Sequence, residues 1–485
     1  MTDKINIKFG TDGWRAVIAE DFTFRKVKVV SQGVSNYLKK KTGGIKKPSV
    51  AIGYDARFLS ERFAMAAAEV FALNGITTYI SERIIPTPVL SHAVVDRKAD
   101  LGVMVTASHN PYYYNGYKIK GPFGGSATMD IIGKIEKEVD EVAENVLKYE
   151  KSPGDLRGSD DNEIKKADFL SGYTEDMLAQ VDRDVIRGFK FGLLFEPMYG
   201  ASQGIFKDIL EKLNASNVTE IHSTFNPSFG GINPEPIGDN LNEAVKVLKE
   251  KNCRMAICLD GDGDRIAALG EDGNYISSHH LYSIFLWYLA HVKNMKGKVI
   301  KSVNLTSTID KICEKYDLEL VTTPVGFKYI GEEIVKGGVI MGGEESGGLW
   351  AGGNLPERDG MLMGLKLLEI LCSLGKTINQ VLDGIYEEFG YFVFDRIDYE
   401  IDPEQKQSLK SIMEKRIPEE LEKEGVSKVI TVDGHKYIME DGGWIMIRLS
   451  GTESVARVYT EGESRERTDY LQGLGKKIID EAVVG

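Results

Sequence analysis

Four times along this chain a short apolar run stops at a polar, glycine-containing loop: LGVMVT before ASHNP, MAICL before DGDGDR, VIM before GGEESGG, and WIMI before RLSGTE. In α/β sheets ligands sit beyond the carboxyl ends of the strands, so strand-end loops of this kind are where binding groups belong. The pattern predicts an α/β protein whose four loops converge on one central cleft. Each loop taken singly also fits an ordinary turn. Together they bring complementary chemistry: hydroxyls, clustered carboxylates and a guanidinium.

The 485 residues exceed what one core ordinarily holds, which predicts three or four domains. In the first stretch, Val50 to Gly53 is a short apolar run, Ser60 can cap a helix through Leu73 that Gly75 ends, and Ile76 to Ile80 resumes a strand. A helix near Val89 to Val95 then leads into the run Leu101 to Val105, a βαβ succession that predicts a mostly parallel sheet. The charged segment from Lys148 to Asp161 reads as a linker before a second α/β pattern with strands at Phe191 to Phe195 and Met255 to Leu259. A third pattern has helices at Leu281 to His291 and Ser307 to Tyr316, with strands at Val299 to Val303 and Val339 to Met341. After Tyr391 the order changes to strand, helix and several short strands joined by turns such as Asp433-Gly434 and Asp441-Gly442-Gly443. A last helix near Arg465 to Ala482 completes what reads as a separate α+β domain. The expected domains are 1–150, 151–269, 270–385 and 386–485.

A net charge of −13 excludes a general nucleic-acid-binding role, since no basic stripe is available to displace counterions. Met1 to Gly10 holds no apolar signal core, and Leu281 to Ala290 is too short to span a bilayer, so a cytoplasmic protein without a membrane partner is expected. Cys253, Cys258, Cys313 and Cys372 lack CxxC spacing and sit mostly among apolar neighbours, which predicts buried free thiols.

Asp260, Asp262 and Asp264 alternate with Gly261 and Gly263 directly after an apolar run. Three carboxylates so close are costly unless a cation neutralises them, and the glycines let the loop curl so that all three face a hard ion, magnesium first. An EF-hand reading is met in part by Glu271 at the twelfth position, but Arg265 stands where that loop needs glycine. A phosphatase with Asp260 as nucleophile would want Thr or Val where Asp264 stands. Ser108, in TASHNP, is outside any GxSxG elbow and alone fits a helix cap; once phosphorylated it would supply a fourth hard oxygen to the metal. Arg448, Ser450, Gly451 and Thr452 form an anion cradle suited to a phosphate that is held, and Glu344, Glu345 and Ser346 suit vicinal sugar hydroxyls.

With these motifs in this order, FGTDGWR at Phe9 to Arg15, TASHNP at Thr106 to Pro111, DGDGDR at Asp260 to Arg265, GEESG at Gly343 to Gly347 and RLSGTE at Arg448 to Glu453, the whole chain resembles the α-D-phosphohexomutase superfamily. The resemblance implies three similar mixed α/β domains around a central cleft plus a smaller α+β C-terminal domain. It implies that Ser108 carries a phosphoryl group and that Asp260, Asp262 and Asp264 bind one magnesium ion together with Ser108. Arg15, His109 and Lys118 would line the phosphoserine side, with Lys118 as general acid/base; Arg265, Lys328, Glu344 and Ser346 would contact the substrate; and Arg448, Ser450, Gly451 and Thr452 would hold its idle phosphate. The partner implied is a hexose phosphate, with glucose 1,6-bisphosphate as activator and intermediate and a monomer or homodimer as the assembly. In this superfamily GEES accompanies phosphoglucomutases, GEMSGH dual phosphomannomutase/phosphoglucomutases and GEQSGH phosphoglucosamine mutases. Glu345 therefore favours glucose over mannose or glucosamine, while Gly348 departs from the His of the latter two forms and from the GEESFG order.

Overall fold

The chain divides into two units in the computed structural model, which describes residues 7–10, 13–144, 164–187, 189–215, 217–353, 355–415, 417–450 and 454–482. One unit comprises Met1–Ser278 with Gly326–Gly337 and Ser346–Ile378; the other comprises His279–Val325 with Gly338–Glu345 and Asn379–Gly485. The linker read at Lys148 to Asp161 lies outside the described residues.

In the first unit a six-stranded sheet runs in the order Trp14–Val17, Tyr114–Lys120, Leu101–Val105, Ser49–Tyr54, Thr77–Ser81, Ile164–Ala167. The last four strands pair in parallel, as βαβ succession dictates. The sheet is mixed rather than mostly parallel, because Tyr114–Lys120 folds straight back on Leu101–Val105 and Trp14–Val17 pairs antiparallel with it. The stretch from Thr106 to Tyr113 is thus a hairpin connection, too short for the helix a parallel crossover needs. Side chains alternate across this hairpin. Leu101, Val103, Val105, Tyr117 and Ile119 enter the core beneath the helix Phe24–Thr42, and Lys118 and Lys120 necessarily occupy the opposite face. That helix begins where the Thr23 hydroxyl accepts the Lys26 amide and ends at Gly43, φ +56°. The helix Ser60–Leu73 departs from expectation at its start: Leu59 occupies the cap position with φ +63°, and the Ser60 hydroxyl donates instead to Asp55 at 2.7 Å.

A second sheet in the same unit has the order Tyr275–Ile276, Ile266–Leu269, Met255–Leu259, Leu193–Glu196, Val218–Glu220. Here again the central strand turns back on itself, Met255–Leu259 pairing antiparallel with Ile266–Leu269, so the DGDGDR loop is also a hairpin connection. Both strands are buried throughout, which holds the loop between two fixed ends.

In the second unit Lys298–Ser302 lies between Glu319–Thr323 and Val339–Gly343, parallel to both. The C-terminal stretch is a five-stranded antiparallel sheet, Val393–Glu400, Val455–Gly462, Trp444–Leu449, His435–Met439, Val426–Ile430, packed against the helix Arg465–Glu481. It is the α+β arrangement expected. The four cysteines are free, three of them buried. No helix among the described residues is long and apolar enough to cross a membrane.

Candidate active site

Ser108 follows the strand Leu101–Val105 by three residues, is fully buried, and has φ +52°. That left-handed backbone costs a serine about 1–2 kcal/mol and persists only where surrounding bonds hold it. Its amide donates to Thr106 Oγ1 at 2.9 Å, and its hydroxyl donates to Asp260 Oδ2 at 2.9 Å. Close approach of the two hairpin loops requires glycine at 261: a Cβ there would lie 2.5 Å from the Ser108 carbonyl oxygen.

The Asp260 carboxylate closes its own loop as well, with Oδ1 accepting the backbone amides of Asp264 and Arg265 at 3.1 Å each. Asp262 Oδ2 accepts from Thr87 Oγ1 at 2.5 Å and from Lys118 Nζ at 2.9 Å, and its carbonyl accepts the Thr87 amide at 2.8 Å. Thr87 opens the helix Thr87–Asp96, whose positive end therefore meets the acidic loop. Asp264 Oδ2 lies 3.2 Å from Lys118 Nζ and 2.9 Å from Arg358 Nη2. The three carboxylates are buried, with ligand oxygens within 4.8 Å of one another. Burial first, then the charges of Asp264 and Asp262, push the Asp260 carboxyl well above the usual carboxylate range.

Three buried carboxylates at this spacing repel, and Lys118, Arg265 and Arg358 each supply a buried positive charge against them. The donor set still fits a hard divalent cation. All the donors are carboxylate oxygens, and Asp264 Oδ1 is buried without accepting a hydrogen bond. The Ser108 oxygen, on Asp260, stands beside them.

His109 Nδ1 lies 3.5 Å from Ser108 Oγ. Burial, reinforced by Arg265, Arg15, Lys118 and Arg57, holds its imidazole well below the usual histidine range, so it is neutral. Arg15 donates to Asn110 Oδ1 at 2.7 Å, and Arg265 reaches Glu235 Oε1 at 3.4 Å. Ser108, His109, Lys118, Arg15, Asp260, Asp262, Asp264 and Arg265 thus gather in the first unit.

Lys328 and Ser346 belong to the same unit in other settings. Lys328 Nζ lies 3.2 Å from Met129 Sδ at the rim of a hollow of about 290 Å3, and Ser346 Oγ is buried without a hydrogen bond. Glu344 is buried in the second unit. Also in that unit, Arg448 Nε donates to Asp433 Oδ2 at 2.8 Å, and the amide of buried Ser450 donates to the Val455 carbonyl at 2.9 Å. Gly451 and Thr452 lie outside the described residues, as do Thr11 and Asp12 of the early motif.

Sequence reasoning passed over three residues of these sites. Arg358 pairs with Asp264, Asp433 fixes Arg448, and Arg57 sits among the carbonyls of the Ser108 loop. For Arg57 a signal was present, since Asp55 and Arg57 follow the buried strand Ser49–Tyr54 in the same strand-end position as the four loops.

Taken together, fold and site define an α/β protein with a buried serine hydroxyl seated on an acidic metal-type cluster. Four domain models match in succession: Phosphoglucomutase/phosphomannomutase, alpha/beta/alpha domain I over residues 6–146, domain II over 171–273, domain III over 277–389, and the C-terminal domain over 407–473. The chain belongs to the phosphoglucomutase/phosphomannomutase family of the α-D-phosphohexomutase superfamily, with three α/β domains and a C-terminal domain. A phosphoglucomutase of Komagataeibacter xylinus is 31% identical over 94% of this chain and 87% of its own length. A probable phosphoglucosamine mutase of Methanosphaera stadtmanae is 28% identical over 98% of each. The crystal structure of a putative phosphomannomutase from Thermus thermophilus superposes with a TM-score of 0.84 at 31% identity, covering 98% of this chain and 99% of the other.

Proposed function

We propose that this chain is a magnesium-dependent phosphoglucomutase, interconverting glucose 1-phosphate and glucose 6-phosphate through a phosphorylated Ser108 and a bisphosphorylated sugar. The carrying observation is the 2.9 Å contact between the Ser108 hydroxyl and Asp260, inside a buried trio of carboxylates. Bound by Asp260, Asp262, Asp264 and the Ser108 oxygen, magnesium would neutralise charge on the transferring oxygens.

In this reading the Ser108 Oγ–P bond breaks as a sugar hydroxyl oxygen bonds phosphorus, and the hydroxyl proton leaves to a base. The bisphosphorylated sugar then reverses, and its other phosphoryl group returns to Ser108. Arg15, Arg265 and Lys328 offset phosphate charge, Glu344 and Ser346 meet sugar hydroxyls, and Arg448, Ser450, Gly451 and Thr452 hold whichever phosphate is idle. Lys118 serves as acid/base, taking and returning the hydroxyl proton; its amine is held beside the acidic loop by Asp262 and Asp264. His109, 3.5 Å from Ser108 Oγ, lines the phosphoserine side.

A phosphatase using Asp260 as nucleophile fits less well, because both its oxygens are engaged, one by two amides and the other by Ser108. Glucose is supported by Glu345 and by the phosphoglucomutase relative; phosphomannomutase or dual activity is the first alternative and phosphoglucosamine mutase the second. Specificity constants for glucose 1-phosphate, mannose 1-phosphate and glucosamine 1-phosphate on one preparation test it, with glucose expected to be highest. For the mechanism, Ser108→Ala should lose nearly all turnover of glucose 1-phosphate in the presence of glucose 1,6-bisphosphate. Near wild-type turnover would remove Ser108 from the reaction.

A further inference from the structure

We infer that Arg57 is the positioning residue of the phosphoryl carrier, holding the Ser108 loop in the one backbone conformation that aims the hydroxyl at Asp260; this rests on the reading of Ser108 given above. Arg57 is 2% exposed, and its two terminal nitrogens reach four carbonyl oxygens of a single turn. Nη2 donates to Ser108 and Asn110, at 2.6 Å each, and Nη1 donates to Pro111 at 2.8 Å and Tyr114 at 3.1 Å. Three of these carbonyls belong to the hairpin connection and the fourth to Tyr114, the first residue of the strand that follows; the Pro111 carbonyl also accepts the Tyr114 amide at 3.0 Å, so Arg57 ties together both ends of the turn.

Asp55 joins the two sides of this clamp. Its Oδ1 accepts the Arg57 amide at 3.0 Å and the Ser60 hydroxyl at 2.7 Å, and its Oδ2 accepts the Thr106 hydroxyl at 2.6 Å. Arg57 Nε lies 3.2 Å from the same Oδ2, as an ion pair. Because Thr106 Oγ1 accepts the Ser108 amide, the N–H and the C=O of Ser108 are both tied, through Thr106 and through Arg57, to one buried carboxylate. A serine at φ +52° relaxes toward the right-handed region when released, and that rotation would carry Oγ off Asp260.

The other face of the guanidinium is covered by the buried ring of Phe229, whose centroid lies 4.9 Å away. Five residues on, the Pro234 carbonyl accepts the Gly261 amide at 3.0 Å, and Glu235 pairs with Arg265. One segment therefore covers the brace of the serine loop and also braces the acidic loop. Arg57 acts through Ser108 and bears on how fast the phosphoryl group moves, while contacts to the sugar are left as they are.

The test is Arg57→Lys, which keeps a charge for Asp55 but cannot fork across the four carbonyls. Measured are kcat and KM for glucose 1-phosphate at saturating glucose 1,6-bisphosphate and magnesium, and the rate of phosphoryl uptake at Ser108 by intact mass. A displacement of the order of 1 Å predicts kcat and uptake lowered roughly 100-fold with KM within about threefold. A kcat within about threefold of wild type, or a loss carried by KM, overturns the inference. Should that variant fail to fold, Thr106→Val decides: it removes the link from Asp55 to the Ser108 amide, and kcat should fall by roughly tenfold or more at unchanged KM, whereas wild-type kcat overturns the inference. Wild-type enzyme that takes up no phosphoryl group at Ser108 would instead overturn the proposed function.

Discussion

Gly261→Ala is the sharpest perturbation of the contact between the two loops. Gly261 is outside the positive-φ residues, so alanine meets no backbone penalty and only the added carbon matters. That carbon would lie 2.5 Å from the Ser108 carbonyl oxygen, with Pro234 Cγ at 3.0 Å and Pro234 Cβ at 3.2 Å. Reaching an ordinary contact of 3.4 Å requires the serine loop and the acidic loop to part by roughly 0.9 Å, and the Pro234 ring must give way as well. Overpacking of this kind costs about 1–3 kcal/mol of stability. Opening the Ser108–Asp260 contact by nearly an ångström should lower kcat roughly 100-fold. The assay is glucose 1-phosphate turnover coupled to glucose-6-phosphate dehydrogenase, with thermal unfolding followed on the same preparation. A variant with kcat within about threefold of wild type and an unchanged melting temperature would refute the argument that the phosphoryl carrier depends on this approach.

Other consequences follow from the same geometry. Lys118→Met should lower kcat by roughly 100- to 10,000-fold and, by removing a buried counter-charge from Asp262 and Asp264, lower the melting temperature too, as read by steady-state kinetics and thermal circular dichroism. Chelation should destabilise the protein and added magnesium restore it, by about 2.7 kcal/mol at a hundredfold excess over Kd, measured as a melting shift. Asp359, which caps the helix Gly360–Leu374 and accepts from Tyr173, is pushed up to about 6 by burial. The unfolded carboxyl ionises near pH 4 while the folded one keeps its proton to about 6, so stability falls across that window and stays low above it. Asp359→Asn keeps a capping oxygen and removes the charge. Its stability relative to wild type should rise between about pH 4 and 6 by up to about 3 kcal/mol and level off above, checked by urea unfolding across that range.

Much of this architecture can be read from apolar runs and what ends them. Leu101–Val105 and Met255–Leu259 mark buried strands at those bounds, and the alternation after the second brings three buried carboxylates within 4.8 Å of one another. Pairing direction is not legible in the same way. An apolar strand looks alike in parallel and antiparallel neighbours, so the hairpins that carry Ser108 and the aspartates emerge only from the register. Lys118 illustrates the gain: the resemblance implies its role, but only the hairpin puts it on the sheet face opposite Tyr117 and Ile119, where it is buried against two carboxylates. Arg57 is marked only by its place after the strand Ser49–Tyr54, and the carbonyls it meets emerge from the fold; Arg358 is beyond local reasoning, since what makes it matter is the distant carboxylate that the fold delivers to it.

The central claim is that Ser108 carries the phosphoryl group on the reaction path. Enzyme charged with [32P]glucose 1,6-bisphosphate, freed of sugar and mixed with unlabelled glucose 1-phosphate in a rapid-quench device tests it directly. Label mapped to the Ser108 peptide and leaving for the sugar at least as fast as kcat is the predicted result. Label on another residue, or label on Ser108 that stays while turnover proceeds, would contradict it.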